Sequence, residues 1–212
     1  MKVAPDNHRV AVALSGGGRS LANLLAAQRL QTGYEIAAVI ASRSDCRGID
    51  IARQHGLPVF VDNFAPTAAD ETARRLYAWL APLEIGWIAL AGFLKMFPLT
   101  PAYAGRIVNI HPALLPRHGG PGMYGDRVHR AVIAAGDLES GATLHFVNER
   151  YDEGQIIAQI TVPVRPGDDA AKLAARVFRG ECRLYPHVLA RLVTGALPLA
   201  AGTIERLVYA EE

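Results

Sequence analysis

Runs that are apolar from end to end recur through the first half of this chain, most of them separated by stretches with helical spacing. The runs are "RVAVAL" at 9–14, "EIAAVIAS" at 35–42, "PVFV" at 58–61, "GWIALAG" at 86–92 and "RIVNI" at 106–110. Between the first four lie "SLANLLAAQRLQTG", "CRGIDIARQHG" and "TAADETARRLYAWLAPL". A strand with one wet face alternates polar and apolar residues, whereas a strand that is apolar throughout has both faces covered. The pattern therefore predicts an α/β fold: a doubly wound, mostly parallel Rossmann-like sheet with helices on both faces. In the first helical stretch Leu21, Leu24, Leu25 and Leu30 recur at helical spacing, with Gly33 as the stop.

Beyond the helical "DRVHRAVIAAGD" the pattern changes. "GATLHFVNERYDEGQIIAQITVPV" reads as two extended runs joined by a turn, an antiparallel C-terminal extension of the sheet. A long helical pattern, "DDAAKLAARVFRGECRLYPHVLARLVTG", follows, and Pro186 marks a kink or a break in it. The 212 residues suit a single domain spanning 1–212.

Composition narrows the function classes. A net charge of +2 with no block of like charge argues against a nucleic-acid groove. Cys46 and Cys182 are far apart in sequence and lack metal-ligand spacing, so neither a disulfide framework nor a zinc finger is expected, and the thiols read as reduced. "MKVAPDNHRV" carries no apolar leader, and no apolar span is long enough for a bilayer, which reads as a cytoplasmic protein without a membrane partner.

Two segments carry chemistry. The first is "ALSGGGRSLANL", a glycine turn between a strand and a helix. It lacks the Gly-Lys-Ser/Thr of a Walker A loop, and Leu21 stands where GxGxxG needs its third glycine. One reading is a tight turn that needs glycine geometry. The other is a cradle for a single phosphate, formed by the amides of Gly17, Gly18 and Arg19, the hydroxyl of Ser15 or Ser20, and the Arg19 guanidinium.

The second is "NIHPALLPRHGG" at 109–120. Side chains two apart on a strand face the same way, so Asn109 and His111 enter one space at the strand's carboxyl end, where open α/β sheets bind ligands. Pro112 holds His111 extended. A lone histidine in an apolar context is commonly a satisfied structural group, so a partner is needed. Asp152, in "YDEG", supplies one if its turn folds over the strand end, and its charge would raise the His111 pKa. Asn, His and Asp together can polarise a carbonyl oxygen and deliver a proton. GxSxG is absent and neither cysteine has a histidine near it in sequence, which favours direct transfer over a covalent enzyme intermediate. His55 is placed to complement a helix end, and His118, His129 and His145 lack metal spacing; no metal is expected. His8 falls in the N-terminal tail, and His187 reads as structural.

"SGGG", "LAGFLKMF", "NIHPALLP", "GATLHFV", "YDEG" and "RLYP" occur in the order and spacing of the phosphoribosylglycinamide formyltransferases, and the resemblance covers roughly residues 9 to 195. It implies transfer of the formyl group of 10-formyltetrahydrofolate, as cosubstrate, to the amine of glycinamide ribonucleotide in purine synthesis. It further implies a phosphate-binding half at about 9–108 and a catalytic and folate-binding half at about 109–195, in a monomer or homodimer. By resemblance Asn109 binds the formyl oxygen, His111 is the general acid and Asp152 tunes it. Gly17, Gly18, Arg19 and Ser20 hold the phosphate, and Glu181 meets the glycinamide. Leu90, Leu94, Lys95, Met96 and Phe97 line the folate pocket with Asn109, Tyr151 and Asp152. Arg19-Ser20, Lys95, Glu153 and the segment 117–130 depart from common members. Rival readings are a 10-formyltetrahydrofolate hydrolase, a formyltransferase acting on nucleotide-linked amino sugars, and a noncatalytic phosphometabolite-binding module.

Overall fold

The structure is a computed structural model, described here for residues 8–30, 33–197 and 204–208. The chain divides into two compact units. The first runs to Val108 and takes in Leu189–Ala196; the second comprises Asn109–Val188 and the residues from Leu197 on.

In the first unit the elements alternate as β1 (Arg9–Leu14), α1 (Arg19–Gln28), β2 (Glu35–Ala41), α2 (Arg47–Gln54), β3 (Val59–Val61), α3 (Ala69–Leu80) and β4 (Trp87–Leu90). Their strands stand in the order β3-β2-β1-β4, every pair parallel. Val10, Ala11, Val12 and Ala13 of the inner strand β1 have no exposed surface, as an end-to-end apolar strand requires. The Ile88 N–H donates to the Arg106 carbonyl at 2.9 Å, so the chain entering β5 (Ile107–His111) runs beside β4.

Leu21, Leu24 and Leu25 form the buried stripe of α1, each worth about 1.5–3 kcal/mol of transfer free energy. Leu30 does not join them. The helix ends at Gln28, and Leu30 is 88% exposed. Nor is Gly33 the stop: it lies beyond the helix, where a Cβ on it would sit 3.1 Å from the Ala190 Cβ.

The second unit holds the end of β5, then α4 (Asp126–Ala134), β6 (Glu139–Phe146), β7 (Ile156–Pro163), α5 (Ala170–Val193) as far as Val188, and β8 (Glu205–Val208), with strand order β5-β6-β7-β8. The β6 and β7 strands pair antiparallel, as the extended runs predict, with Ala142 opposite Ile160. Pro186 lies inside α5, which continues through it as a single helix rather than breaking. At the other end of that helix, the Arg176 guanidinium donates to the Pro163 carbonyl at 2.9 Å and to Asp168 at 2.5 and 3.1 Å. Strand β8 runs parallel to β7 and has no sequence counterpart among the apolar runs, because Glu205–Val208 alternates half-buried and exposed residues. No helix among the described residues is long and apolar enough to cross a membrane.

Candidate active site

The glycine turn of the first unit is built on Ser15, the first residue after β1. Its N–H donates to the Gly92 carbonyl at 3.0 Å, and its Oγ meets the Ser42 hydroxyl at 2.6 Å and the Leu94 N–H at 2.8 Å. That hydroxyl ties the turn to residues 92–94, which leaves Ser20 as the less engaged of the two candidate hydroxyls. Gly18 caps α1 at φ 74°, and a Cβ there would lie 2.6 Å from the Gly48 Cα, so both backbone conformation and space demand glycine. No side chain caps the helix. First-turn amides without a side-chain cap are the donors that an anion accepts at a helix N-terminus. Gly17 and Arg19 are exposed, and Ser20 is half-buried.

In the same unit, Leu90 is buried in β4. Phe97 is only 2% exposed and packs with Phe93 and Phe64, at centroid distances of 5.5 and 6.2 Å. Leu94, Lys95 and Met96 are exposed. Two apolar side chains therefore face outward over an aromatic cluster.

The second unit brings Asn109, His111 and Asp152 together. Asp152 sits in the turn between β6 and β7 at φ 58°, and its Oδ2 lies 3.4 Å from His111 Nδ1. The Gly120 N–H donates to the same oxygen at 3.0 Å. Two residues beyond Asp152, a Cβ on Gly154 would overlap the Phe146 carbonyl oxygen, so only glycine lets the turn close this tightly. His111 donates its Nε2–H to the His118 carbonyl at 2.8 Å, which leaves Nδ1, the nitrogen facing the carboxylate, as the one that gains and loses a proton.

Burial pulls the His111 pKa below the ordinary histidine value; Asp152 and the His118 carbonyl push it up without overcoming the loss of solvent. The upward push expected from Asp152 is present, and burial outweighs it. Burial also works against charge on Asp152, yet the His145 and His111 imidazoles and the Gly120 N–H outweigh it and hold the carboxyl below the usual range.

His145 belongs to this constellation, although its sequence context flagged only a missing metal pattern. Its Nδ1 lies 2.8 Å from the Phe146 carbonyl and donates to it; Nε2 lies 3.0 Å from Asn109 Nδ2 and 3.6 Å from Asp152 Oδ1, so in the neutral ring it accepts the Asn109 N–H, and in the protonated ring it faces the carboxylate. One amide hydrogen of Asn109 is thereby fixed, and the second is left on the same nitrogen. Thr143, two residues earlier on the same face of β6, donates to the Ala113 carbonyl at 2.6 Å and accepts the Leu115 N–H at 3.0 Å, pinning the chain after His111. The readable signal was the i, i+2 pair Thr143/His145, which mirrors Asn109/His111. Tyr151 is 40% exposed, and Glu181 is half-buried on α5. Among the described residues there is no group of three or more histidine, cysteine or acidic side chains disposed to hold a metal ion.

The family model described as "Formyl transferase" matches residues 8–189. The chain is 41% identical over 198 residues to the chloroplastic phosphoribosylglycinamide formyltransferase of Vigna unguiculata, covering 90% of this chain and 62% of that one. It is 36% identical over 197 residues to phosphoribosylglycinamide formyltransferase of Haemophilus influenzae, with 90% of each chain covered. The chain spans less than two thirds of the length of the chloroplast relatives from Vigna and Arabidopsis. Among solved structures, phosphoribosylglycinamide formyltransferase from Brucella melitensis superposes with a TM-score of 0.77 at 37% identity, covering 92% of this chain and 100% of that one. Glycinamide ribonucleotide transformylase 1 from Symbiobacterium toebii reaches 0.81 at 31% identity, covering 96% and 95%. On the extent of these matches, the chain belongs to the formyl transferase family.

Proposed function

We propose that the protein transfers the formyl group of 10-formyltetrahydrofolate to the amine of 5'-phosphoribosylglycinamide in purine biosynthesis. The observation that carries this reading is the convergence of Asn109, His111 and Asp152, with His145 orienting the asparagine, in a chain similar over most of its length to enzymes of that name. The glycinamide nitrogen attacks the formyl carbon, and electron density moves onto the formyl oxygen. The second Asn109 N–H and the imidazolium of His111 stabilise that oxygen. An imidazole whose pKa burial holds down takes up a proton most readily when negative charge forms beside it, and Asp152 compensates the resulting cation. The attacking nitrogen gives up one proton as it becomes an amide; His111 Nδ1, or a water ordered by Asp152, takes up that proton and delivers one to the leaving nitrogen as the carbonyl re-forms and the carbon–nitrogen bond to the folate breaks.

The turn at Gly17, Gly18, Arg19 and Ser20 would hold the ribonucleotide phosphate, and the half-buried Glu181 the glycinamide portion. Leu90, Leu94, Lys95, Met96, Phe97 and Tyr151 would form the folate contacts, the exposed Leu94 and Met96 offering the apolar surface that a pterin or benzoyl ring covers. The chemistry needs no metal, and we place it in the cytoplasm, carried out by a monomer or homodimer.

The decisive assay supplies purified protein with both substrates and follows folate absorbance and formylated product. Formyl transfer that depends on the ribonucleotide supports the reading. Formate release without the amine would make the protein a hydrolase, and ribonucleotide binding without turnover would make it a binding module.

A further inference from the structure

We propose that the side chains of His118 and Asp137 form a latch that positions the His111–Asp152 pair through the main chain of residues 118–120; this rests on the formyl-transfer reading. Three consecutive residues touch both members of that pair. The His118 carbonyl accepts the His111 Nε2–H at 2.8 Å, and the Gly120 N–H donates to Asp152 Oδ2 at 3.0 Å. Between them, a Cβ on Gly119 would come within 2.5 Å of Leu115 Cδ2 and 3.2 Å of Asp152 Cβ, so this stretch of backbone lies directly on the carboxylate residue.

Such a stretch does not hold its shape unaided. His118 is at φ 55°, in the left-handed region that non-glycine residues enter uncommonly and at some cost. The holding group is Asp137, in the connection between α4 and β6. Its Oδ2 accepts the His118 Nε2–H at 2.7 Å, and its Oδ1 pairs with the Arg117 guanidinium. The Asp137 side chain is 9% exposed and that of His118 16%, whereas Arg117 is largely in solvent. The charged and titratable groups facing the latch are Arg117 and Glu139, the latter on the wall of the same small pocket, together with His111 through the backbone; His111 in turn faces Asp152, His145 and His129. Burial and Arg117 both lower the His118 pKa, and a neutral imidazole still donates Nε2–H to the carboxylate.

No hydrogen bond joins the His118 or Asp137 side chain to Asn109 or Asp152; beyond a minor like-charge effect of the His118 imidazole on His111, their influence on chemistry passes through the carbonyl and the amide they hold in place. If the latch opens, His111 loses the acceptor that favours its protonated form, and its pKa falls.

The test compares His118→Phe, Asp137→Ala and the conservative Asp137→Asn with the wild-type chain. The first readout is an NMR titration of the His111 imidazole, which requires no turnover. The expected result is a fall in the His111 pKa of about half a unit or more in His118→Phe and Asp137→Ala. The turnover number should fall about tenfold or more with both KM values within about twofold, and Asp137→Asn should recover most of the loss. An unchanged His111 titration in folded His118→Phe overturns the latch, even if thermal stability drops, because a merely structural contact would lower stability without moving the acid. Should Asp137→Ala not fold, His118→Phe and Asp137→Asn decide the matter. A wild-type chain with no formyl transfer refutes the catalytic reading, while the titration still reports on the latch.

Discussion

Asn109 and His145, 36 residues apart in sequence, meet with the amide nitrogen 3.0 Å from Nε2 of the imidazole. The Phe146 carbonyl decides which imidazole nitrogen carries the proton, and that choice decides which way the amide faces. Replacing His145 with Leu frees the amide to flip, so that oxygen rather than N–H can face the developing negative charge. The turnover number should fall about 10- to 100-fold, with ribonucleotide KM nearly unchanged, in steady-state assays. Turnover within twofold of wild type would show that His145 does not orient Asn109.

The His111–Asp152 contact carries a pH signature. Burial places the His111 pKa below the ordinary histidine value, and Asp152 is the largest opposing influence. In Asp152→Asn the imidazolium loses its counter-charge, so the ionisation assigned to His111 in the profile of kcat/KM against pH should move further down. The turnover number should fall about 10²- to 10⁴-fold. An upward or absent displacement of that ionisation argues against the pairing.

Gly18 and Gly17 are adjacent but differ in tolerance. Alanine at 18 meets a left-handed backbone and the Gly48 Cα, and should cost about 1–3 kcal/mol of stability while weakening binding of inorganic phosphate. At 17 a Cβ meets nothing within 4 Å, and the change should stay within about 0.5 kcal/mol. Thermal unfolding of the two variants, with and without phosphate, makes the comparison.

Acid sensitivity should have a component from Asp168. Its hydrogen bonds to Arg176 hold its pKa below the usual carboxylate value, helped by the Arg165 N–H, while burial opposes them. The pair's stabilisation is therefore complete above the unfolded-state pKa and is lost as pH falls through the depressed folded value. Asp168→Asn should cost roughly 2 kcal/mol at neutral pH, between the ranges for exposed and buried pairs. The loss should shrink toward zero in acid, as read by urea denaturation at several pH values.

The parts of this molecule that were legible in advance are those whose signal is local. Fully apolar runs such as Val10–Ala13 disclose strands covered on both faces, and alternation from Asn109 to His111 discloses two side chains sharing a face. Leu30 misled because spacing does not reveal where a helix ends, and β8 escaped because its half-exposed residues lack an apolar run. The sign of the His111 shift depends on how completely the ring is withdrawn from water, which no motif records. His145 and Asp137 act through contacts with residues 19 to 36 positions away, and such distances become visible only when the chain is folded.

The closure at Gly154 has one further consequence. Because that residue is pressed against the Phe146 carbonyl, the carboxylate reaches its imidazole by the number of residues in the hairpin bend rather than by side-chain choice. An inserted or deleted residue between 147 and 153 would swing Asp152 onto the opposite side of the ribbon. Length variation there should be more damaging than almost any exchange of one amino acid for another, whereas exposed connections elsewhere can grow at little cost.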